Sequence, residues 1–239
     1  MQESVKIAPQ AVQGILDLTN WDIARDGPVK LNGQWEFYWE RHLAPEDFAR
    51  TDLAASAGMI EVPKAWNGHA TGGSKIAGHG YATYRLQVLM AEPPPPLALK
   101  FLDMAVAFTA YVNGLKLLSA GVPGRTPETT VPRFDPQIVD FQPASQRIEI
   151  IVWVSNFHHR KGGAWEPIVL GPAADVRRIR EKAIGFDLLL FGSILIMGIY
   201  HLGLYTIRRA EKAPLYFAVF CFLLAVRIIT TGERYLVSL

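Results

Sequence analysis

The chain has 239 residues, 50% of them hydrophobic and 19% charged, with 24 basic against 22 acidic side chains and a formal net charge of +2. So even a balance, with no basic run interleaved with aromatics, excludes the electrostatic footprint of a nucleic-acid binder. The single cysteine, Cys221, excludes a disulfide framework and a cysteine-based zinc site, so a water-soluble part must be held by its core alone, which about 170 residues can supply.

Residues 1–14 carry no apolar stretch of the signal-peptide kind, so the start reads as a trimmed, mature N-terminus. Leu31-Asn32-Gly33-Gln34-Trp35-Glu36-Phe37-Tyr38-Trp39 alternates, with Trp35, Phe37 and Trp39 on one side and Gln34, Glu36 and Tyr38 on the other, which is the period of a half-buried strand. A short helical insertion is expected within residues 44–57. Ala82, Tyr84, Leu86, Val88 and Met90 form a second such row, ended by Pro93-Pro94-Pro95-Pro96, which removes backbone donors and acts as a stiff connector. Residues 97–102 and 106–112 resume as strands. Asn113-Gly114 before residues 115–118 is a two-residue hairpin signal, because a type I′ turn needs positive φ twice. Residues 148–154 are almost continuously apolar, as in a central strand covered on both faces, and residues 165–170 close the series.

Beyond residue 172 the pattern changes. Asp175 is placed to cap a helix in which Val176, Ile179 and Ala183 recur at helical spacing, giving a juxtamembrane helix over residues 172–183. Residues 184–207 and 214–231 are apolar runs of a length that crosses a bilayer core of about 30 Å. The flanking cations, Arg177, Arg178, Arg180 and Lys182 before the first run and Arg208, Arg209 and Lys212 between the two, give no vote on orientation. Asp187 and Arg227 fall at unequal depths, about 30 and 20 Å from the turn at 1.5 Å per residue, so a level ion pair between them is not expected.

Two resemblances organise these observations. Leu31-Asn32-Gly33-Gln34-Trp35-Glu36-Phe37, Val62-Pro63 with Trp66-Asn67, Tyr81-Ala82-Thr83-Tyr84-Arg85, Tyr111-Val112-Asn113-Gly114, and Val154-Ser155-Asn156 before Gly162-Gly163-Ala164-Trp165-Glu166-Pro167-Ile168 resemble the jelly-roll sugar-binding domain of family-2 glycoside hydrolases. Gly198-Ile199-Tyr200-His201-Leu202-Gly203-Leu204-Tyr205, the turn Arg208-Arg209-Ala210-Glu211-Lys212, Pro214-Leu215-Tyr216-Phe217 and Arg227 followed by Thr231-Gly232-Glu233-Arg234-Tyr235 are similar to the opening of the bacterial seven-transmembrane receptors with diverse intracellular signalling modules. Together they imply a mainly β protein: a galactose-binding-like jelly-roll sandwich over residues 15–171, outside the cytoplasmic membrane, followed by the first two helices of a receptor that continues beyond this chain. That resemblance also implies a cytoplasmic output domain and allows a homodimer of the full receptor.

The residues themselves suggest ligand recognition rather than chemistry. A glycosidase needs two carboxylates about 5 to 10 Å apart across a cleft, and Asp103, Glu128, Asp135, Asp140 and Glu149 are scattered, so no catalytic residue and no cofactor is assigned. His158-His159-Arg160-Lys161-Gly162-Gly163 is the most unusual loop, yet neighbouring histidines on extended chain face opposite ways and no acidic cluster completes a metal set. Sugar sites combine an aromatic platform with planar hydrogen-bonding groups. Trp66, Asn67 and His69 on one loop with His158, His159, Arg160 and Trp165 on another form the candidate binding set for a small molecule or carbohydrate, although Trp66 and Trp165 equally fit a core role. A partner-protein docking module is the alternative.

Overall fold

The computed structural model describes residues 6–49, 57–92, 94–104 and 106–231. Among them are strands β1 (Ile15–Leu18), β2 (Val29–Lys30), β3 (Gly33–Trp39), β4 (Gly58–Val62), β5 (Ala70–Thr71), β6 (Ser74–Lys75), β7 (Gly80–Met90), β8 (Leu97–Phe101), β9 (Ala107–Val112), β10 (Leu115–Ala120), β11 (Gln137–Phe141), β12 (Arg147–Asn156) and β13 (Val169–Pro172), then helices α1 (Ala173–Ile207) and α2 (Ala213–Thr230). The chain divides into two compact units at Val176/Arg177.

In the first unit a seven-stranded sheet runs β10-β9-β12-β7-β3-β4 with β1 parallel to β7, and a four-stranded sheet runs β11-β8-β13-β2. Neighbours in space are seldom neighbours in sequence, the pattern of a sandwich whose connections cross between sheets. The inward rows are those alternation assigns. Ala82, Tyr84, Leu86, Val88 and Met90 of β7 and Ile148, Ile150, Val152 and Val154 of β12 are all buried, and with Trp35, Phe37, Leu97, Leu99, Phe101 and Phe108 they form one continuous core. Strand β12 lies between β7 and β9, paired with both, and it is apolar on both faces because Ile151 on the outer face is buried as Ile150 and Val152 are on the inner one.

The outer face of the large sheet is covered as well. Tyr38, on the polar side of β3 by alternation, is only 1% exposed because a 3-10 helix at Pro45–Ala49 lays Phe48 against it at 5.4 Å. Beneath the same helix Arg85 bridges Glu36 at 3.0 Å and Glu149 at 2.6 Å and lies 4.7 Å from the Phe48 ring. The strap continues through His42, stacked on Trp153 at 5.1 Å, and Leu43, whose carbonyl accepts the Trp153 indole N–H at 2.6 Å. Here the short helix expected within residues 44–57 is present at its start; residues 50–56 lie outside the described residues.

The hairpin at Asn113-Gly114 has φ of 48° and 83°, the double positive φ that a type I′ turn demands. At the far end the expected strand over residues 165–170 is shorter than its sequence suggests: only Val169–Pro172 pairs, with β8 and β2. The preceding residues leave the sheet because Gly162 and Gly163 are pressed against Trp66 and Tyr84, where a Cβ on either would stand 2.3 to 2.9 Å from those side chains.

The second unit is the remainder of α1 with α2. The residues read as juxtamembrane segment and first span lie on one continuous 35-residue helix, in which Asp175 falls inside the first turn rather than at the cap. Pro214 enters α2 in its first turn, where its missing N–H costs no hydrogen bond. The helices meet through small residues: Ala218, Cys221 and Ala225 are buried, and a Cβ on Gly198 would stand 3.0 Å from Phe222 and 3.3 Å from Cys221. His201 lies 4.5 Å from the Phe217 ring. Both helices are long and apolar enough to cross a membrane, with only 6% and 17% of their most apolar stretches buried within the protein, which argues against the core helix of a soluble fold. Gly232-Glu233-Arg234-Tyr235 lie outside the described residues.

Candidate functional site

Strands β7 and β12 end together, Asn156 opposite Gly80. At that point Asn156, fully buried, gathers the loop that follows. Its Nδ2 lies 2.7 Å from the Gly78 carbonyl oxygen, 2.6 Å from that of His159 and 2.9 Å from that of Lys161, while its Oδ1 accepts the His159 N–H at 3.0 Å. The loop is then stitched to residues 64–67. The Lys64 N–H donates to the Ala164 carbonyl at 2.8 Å and the Trp66 N–H to that of Gly162 at 2.9 Å. Asn67 donates from Nδ2 to the Arg160 carbonyl at 2.9 Å and accepts the Gly162 N–H on Oδ1 at 3.0 Å. The two loops named from the sequence are therefore one structural unit.

Between them opens a cleft of about 560 Å³ lined by Lys64, Ala65, His159, Arg160, Lys161, Trp165 and Glu166. Trp165 is half-buried and packs its inner side on the core, with the His159 ring 5.5 Å away and tilted by 52°. The His159 Nδ1 lies 3.2 Å from the Lys161 N–H and 3.0 Å from the Lys161 carbonyl oxygen, so its tautomer decides which bond forms. Burial raises the Glu166 carboxyl above the usual range, and the nearby Asp103 charge adds to the shift. Lys64 also borders a smaller hollow of about 280 Å³ that contains Asn67 and His69.

The candidate residues thus separate. His159, Arg160 and Trp165 face the cleft. Asn67 holds the loops together with both ends of its amide already bonded. His69 is half-buried, edge-on to Phe37 at 5.5 Å, and burial followed by the Lys64 charge lowers its pKa. His158 is exposed and does not line the cleft. Trp66 is corrected: it is 0% exposed, its indole N–H donates to the Gly78 carbonyl at 3.0 Å, and it packs against Trp39 at 5.1 Å, so neither ring face is open to a ligand. Lys64, Lys161, Glu166 and the organiser Asn156 join the site instead. Signals for them existed in the sequence: Lys64 adjoins the Ala65-Trp66-Asn67 turn, and an Asn closing a strand before a His-His-Arg-Lys-Gly-Gly loop is a side chain suited to bonding its own following backbone.

A larger hollow of about 690 Å³ lies between residues 19–25 and the connector after β7. Two of its polar side chains are already engaged. The Trp21 indole N–H donates to the Gly27 carbonyl at 3.0 Å, and Asp22 accepts the N–H groups of Ala24 and Arg25 at 3.0 and 3.2 Å. Among the described residues no group of three or more His, Cys, Asp or Glu is arranged to hold a metal ion.

No family model matches the sequence, and no curated protein matches it. Solved structures do. A GH2 beta-galacturonidase from Eisenbergiella tayi is 16% identical with a TM-score of 0.42, over 61% of this chain and 24% of that one. The beta-glucuronidase of Ruminococcus gnavus is 15% identical with a TM-score of 0.42, over 60% of this chain and 28% of that one. An uncultured Clostridium sp. beta-glucuronidase is 16% identical with a TM-score of 0.43, over 61% and 29%. This chain spans about a quarter of the length of these enzymes. What the strand pairing itself establishes is the fold class. The chain is a mainly β sandwich followed by two long apolar helices.

Proposed function

We propose that this chain is the ligand-sensing and membrane-anchoring part of a bacterial signal-transduction receptor, with the sandwich outside the cytoplasmic membrane binding a carbohydrate and the two helices lying in the bilayer. The observation that carries the reading is the cleft between residues 64–65 and 159–166, where a half-buried indole stands beside side chains able to donate hydrogen bonds, on loops whose backbone is fixed by Asn156 and Asn67. A platform and donors held in place before the ligand arrives lower the ordering cost of binding. Among the GH2 motifs quoted above, Trp165 and Glu166 fall in the cleft itself. The two helices support the anchoring half of the reading, since their exposed Phe186, Leu189, Ile196, Tyr216, Phe220 and Leu223 are costly to leave in water and cost nothing in lipid.

Signalling then requires that the ligand bind two receptor states unequally. Because α1 begins at Ala173, the residue after β13, and runs as one helix to Ile207, the chain passes from the sheet toward the helical unit with no intervening loop. Calorimetric titration of the whole chain in lipid nanodiscs against mono- and disaccharides is expected to show saturable binding, weakened about tenfold or more by Trp165→Ala with the circular dichroism spectrum unchanged. Absence of binding to every sugar tested overturns the reading.

A further inference from the structure

The cleft carries a charge pattern that a neutral sugar does not require. Lys64, Arg160 and Lys161 all line it, and among the described residues no ion pair engages any of their side chains. One acid, Glu166, shares the lining, and burial together with the Asp103 charge raises its pKa. Elsewhere in the sandwich several described cations do have a carboxylate partner: Arg85 in Glu36 and Glu149, Lys6 and Arg25 in Asp26, Arg133 in Asp135.

The backbone keeps it there. The carbonyl oxygens of Arg160 and Lys161 are fixed by the Asn67 and Asn156 amides, and the Lys64 N–H by Ala164, so the main chain that carries the three cations is held beside the cleft. Three cationic residues lining one concave surface raise its potential, which favours the entry of an anion. The indole of Trp165 adds what a bare inorganic anion has no use for, an apolar face of the size of a pyranose ring. A volume of about 560 Å³ suits one or two such rings.

We infer that the ligand of this cleft is an anionic saccharide, whose ring packs on Trp165 and whose charged group, carboxylate or sulfate, is held by Arg160 with Lys161 and Lys64. The inference rests on the sugar-binding reading above and specifies its chemical class. Guanidinium matches either oxyanion with two parallel N–H donors, so the shared chemistry is an oxyanion on a sugar ring.

The test uses the whole chain in nanodiscs of zwitterionic lipid and four probes: galacturonate, galactose 6-sulfate, galactose and inorganic sulfate. At least one of the two charged sugars is expected to bind about tenfold or more tighter than galactose, to lose that advantage in the double variant Arg160→Gln, Lys161→Gln, and to weaken as salt rises. Lys116→Gln on the edge strand β10 serves as the charge control and leaves binding unchanged. The preferred charged sugar names the oxyanion. If galactose binds as tightly as both charged sugars, the inference fails while the sugar-binding reading stands. If inorganic sulfate binds as tightly as the charged sugars, the ring contributes nothing and the inference fails. If no sugar binds, both fall.

Discussion

The two units of this chain use similar apolar side chains and dispose of them in opposite ways. In the sandwich Trp35, Trp66, Phe37, Tyr84 and Phe108 are at most 2% exposed, each enclosed by other parts of the same unit. In the helical pair Phe186, Leu189, Tyr216 and Leu223 are at least 60% exposed, and the buried positions among the described residues are the small residues Gly198, Ala218, Cys221 and Ala225. Where the surrounding solvent is water, large side chains are driven inward and set the core. Where it is hydrocarbon that drive vanishes, and close approach through small residues is what holds helices together. The contrast teaches that the same composition reads as core or as lipid-facing surface only once the period and length of its apolar runs are known.

The contrast is broken most strongly at the aromatic core. Trp66→Ala is expected to cost about 3 to 5 kcal/mol and lower the thermal midpoint of the sandwich, whereas Phe186→Ala leaves that midpoint unchanged. Calorimetry of both variants in detergent checks it; equal losses would mean that the two environments are not distinct. Next comes Asn156→Ala, which strips partners from the Gly78, His159 and Lys161 carbonyls at once. A loss of about 2 to 3 kcal/mol is expected, with sugar binding abolished before the fold is lost. Binding retained at full strength in that variant would show that the loop does not depend on its organiser.

In the helical pair Gly198→Ile is expected to separate α1 from α2, because a Cβ at Gly198 already stands 3.0 Å from Phe222 and a branched side chain adds more. Cys221, buried at 4% exposure, then becomes reactive to a lipid-soluble thiol reagent. Unchanged labelling contradicts this packing. The last prediction concerns acid, and its effect is confined to low pH. Burial, with the Arg125 charge second, pushes His42 down to about 4 from an ordinary 6.5. Above pH 6.5 the imidazole is neutral in both folded and unfolded chains, so its contribution is fully present there. As pH falls from 6.5 toward 4 the unfolded chain takes up a proton that the folded one refuses, and stability declines. A denaturation series against pH is expected to show this slope and its loss in His42→Phe; a slope unaltered by the substitution assigns it elsewhere.

How much of this was legible in the sequence follows the same physical line. Strict alternation at residues 33–39 and 82–90, the Asn113-Gly114 turn and the apolar run at 148–154 are local signals, and β3, β7, the hairpin and β12 stand where those signals put them. Strand β11, Gln137–Phe141, is nowhere fully buried and so has no strong alternation to read, while β4 alternates in burial but over only five residues and with the apolar Met59 on its exposed side. Alternation puts Tyr38 on the outer side of β3, where it stands, but nothing local announces that Phe48 covers it. The site shows a similar limit. The two loops were visible as unusual compositions, but Trp66 looks the same in sequence whether it faces a ligand or Trp39, and only the tertiary arrangement decides. Lys64, Lys161 and Glu166 gain meaning from convergence across about a hundred residues of chain, which no local pattern encodes.

The most direct test is sedimentation of the purified whole chain with and without detergent. A sandwich tied to lipid-embedded helices is monodisperse only when micelles or nanodiscs cover residues 184–207 and 213–230. A stable, monodisperse species in plain buffer, with those helices protected by protein rather than by lipid, contradicts it.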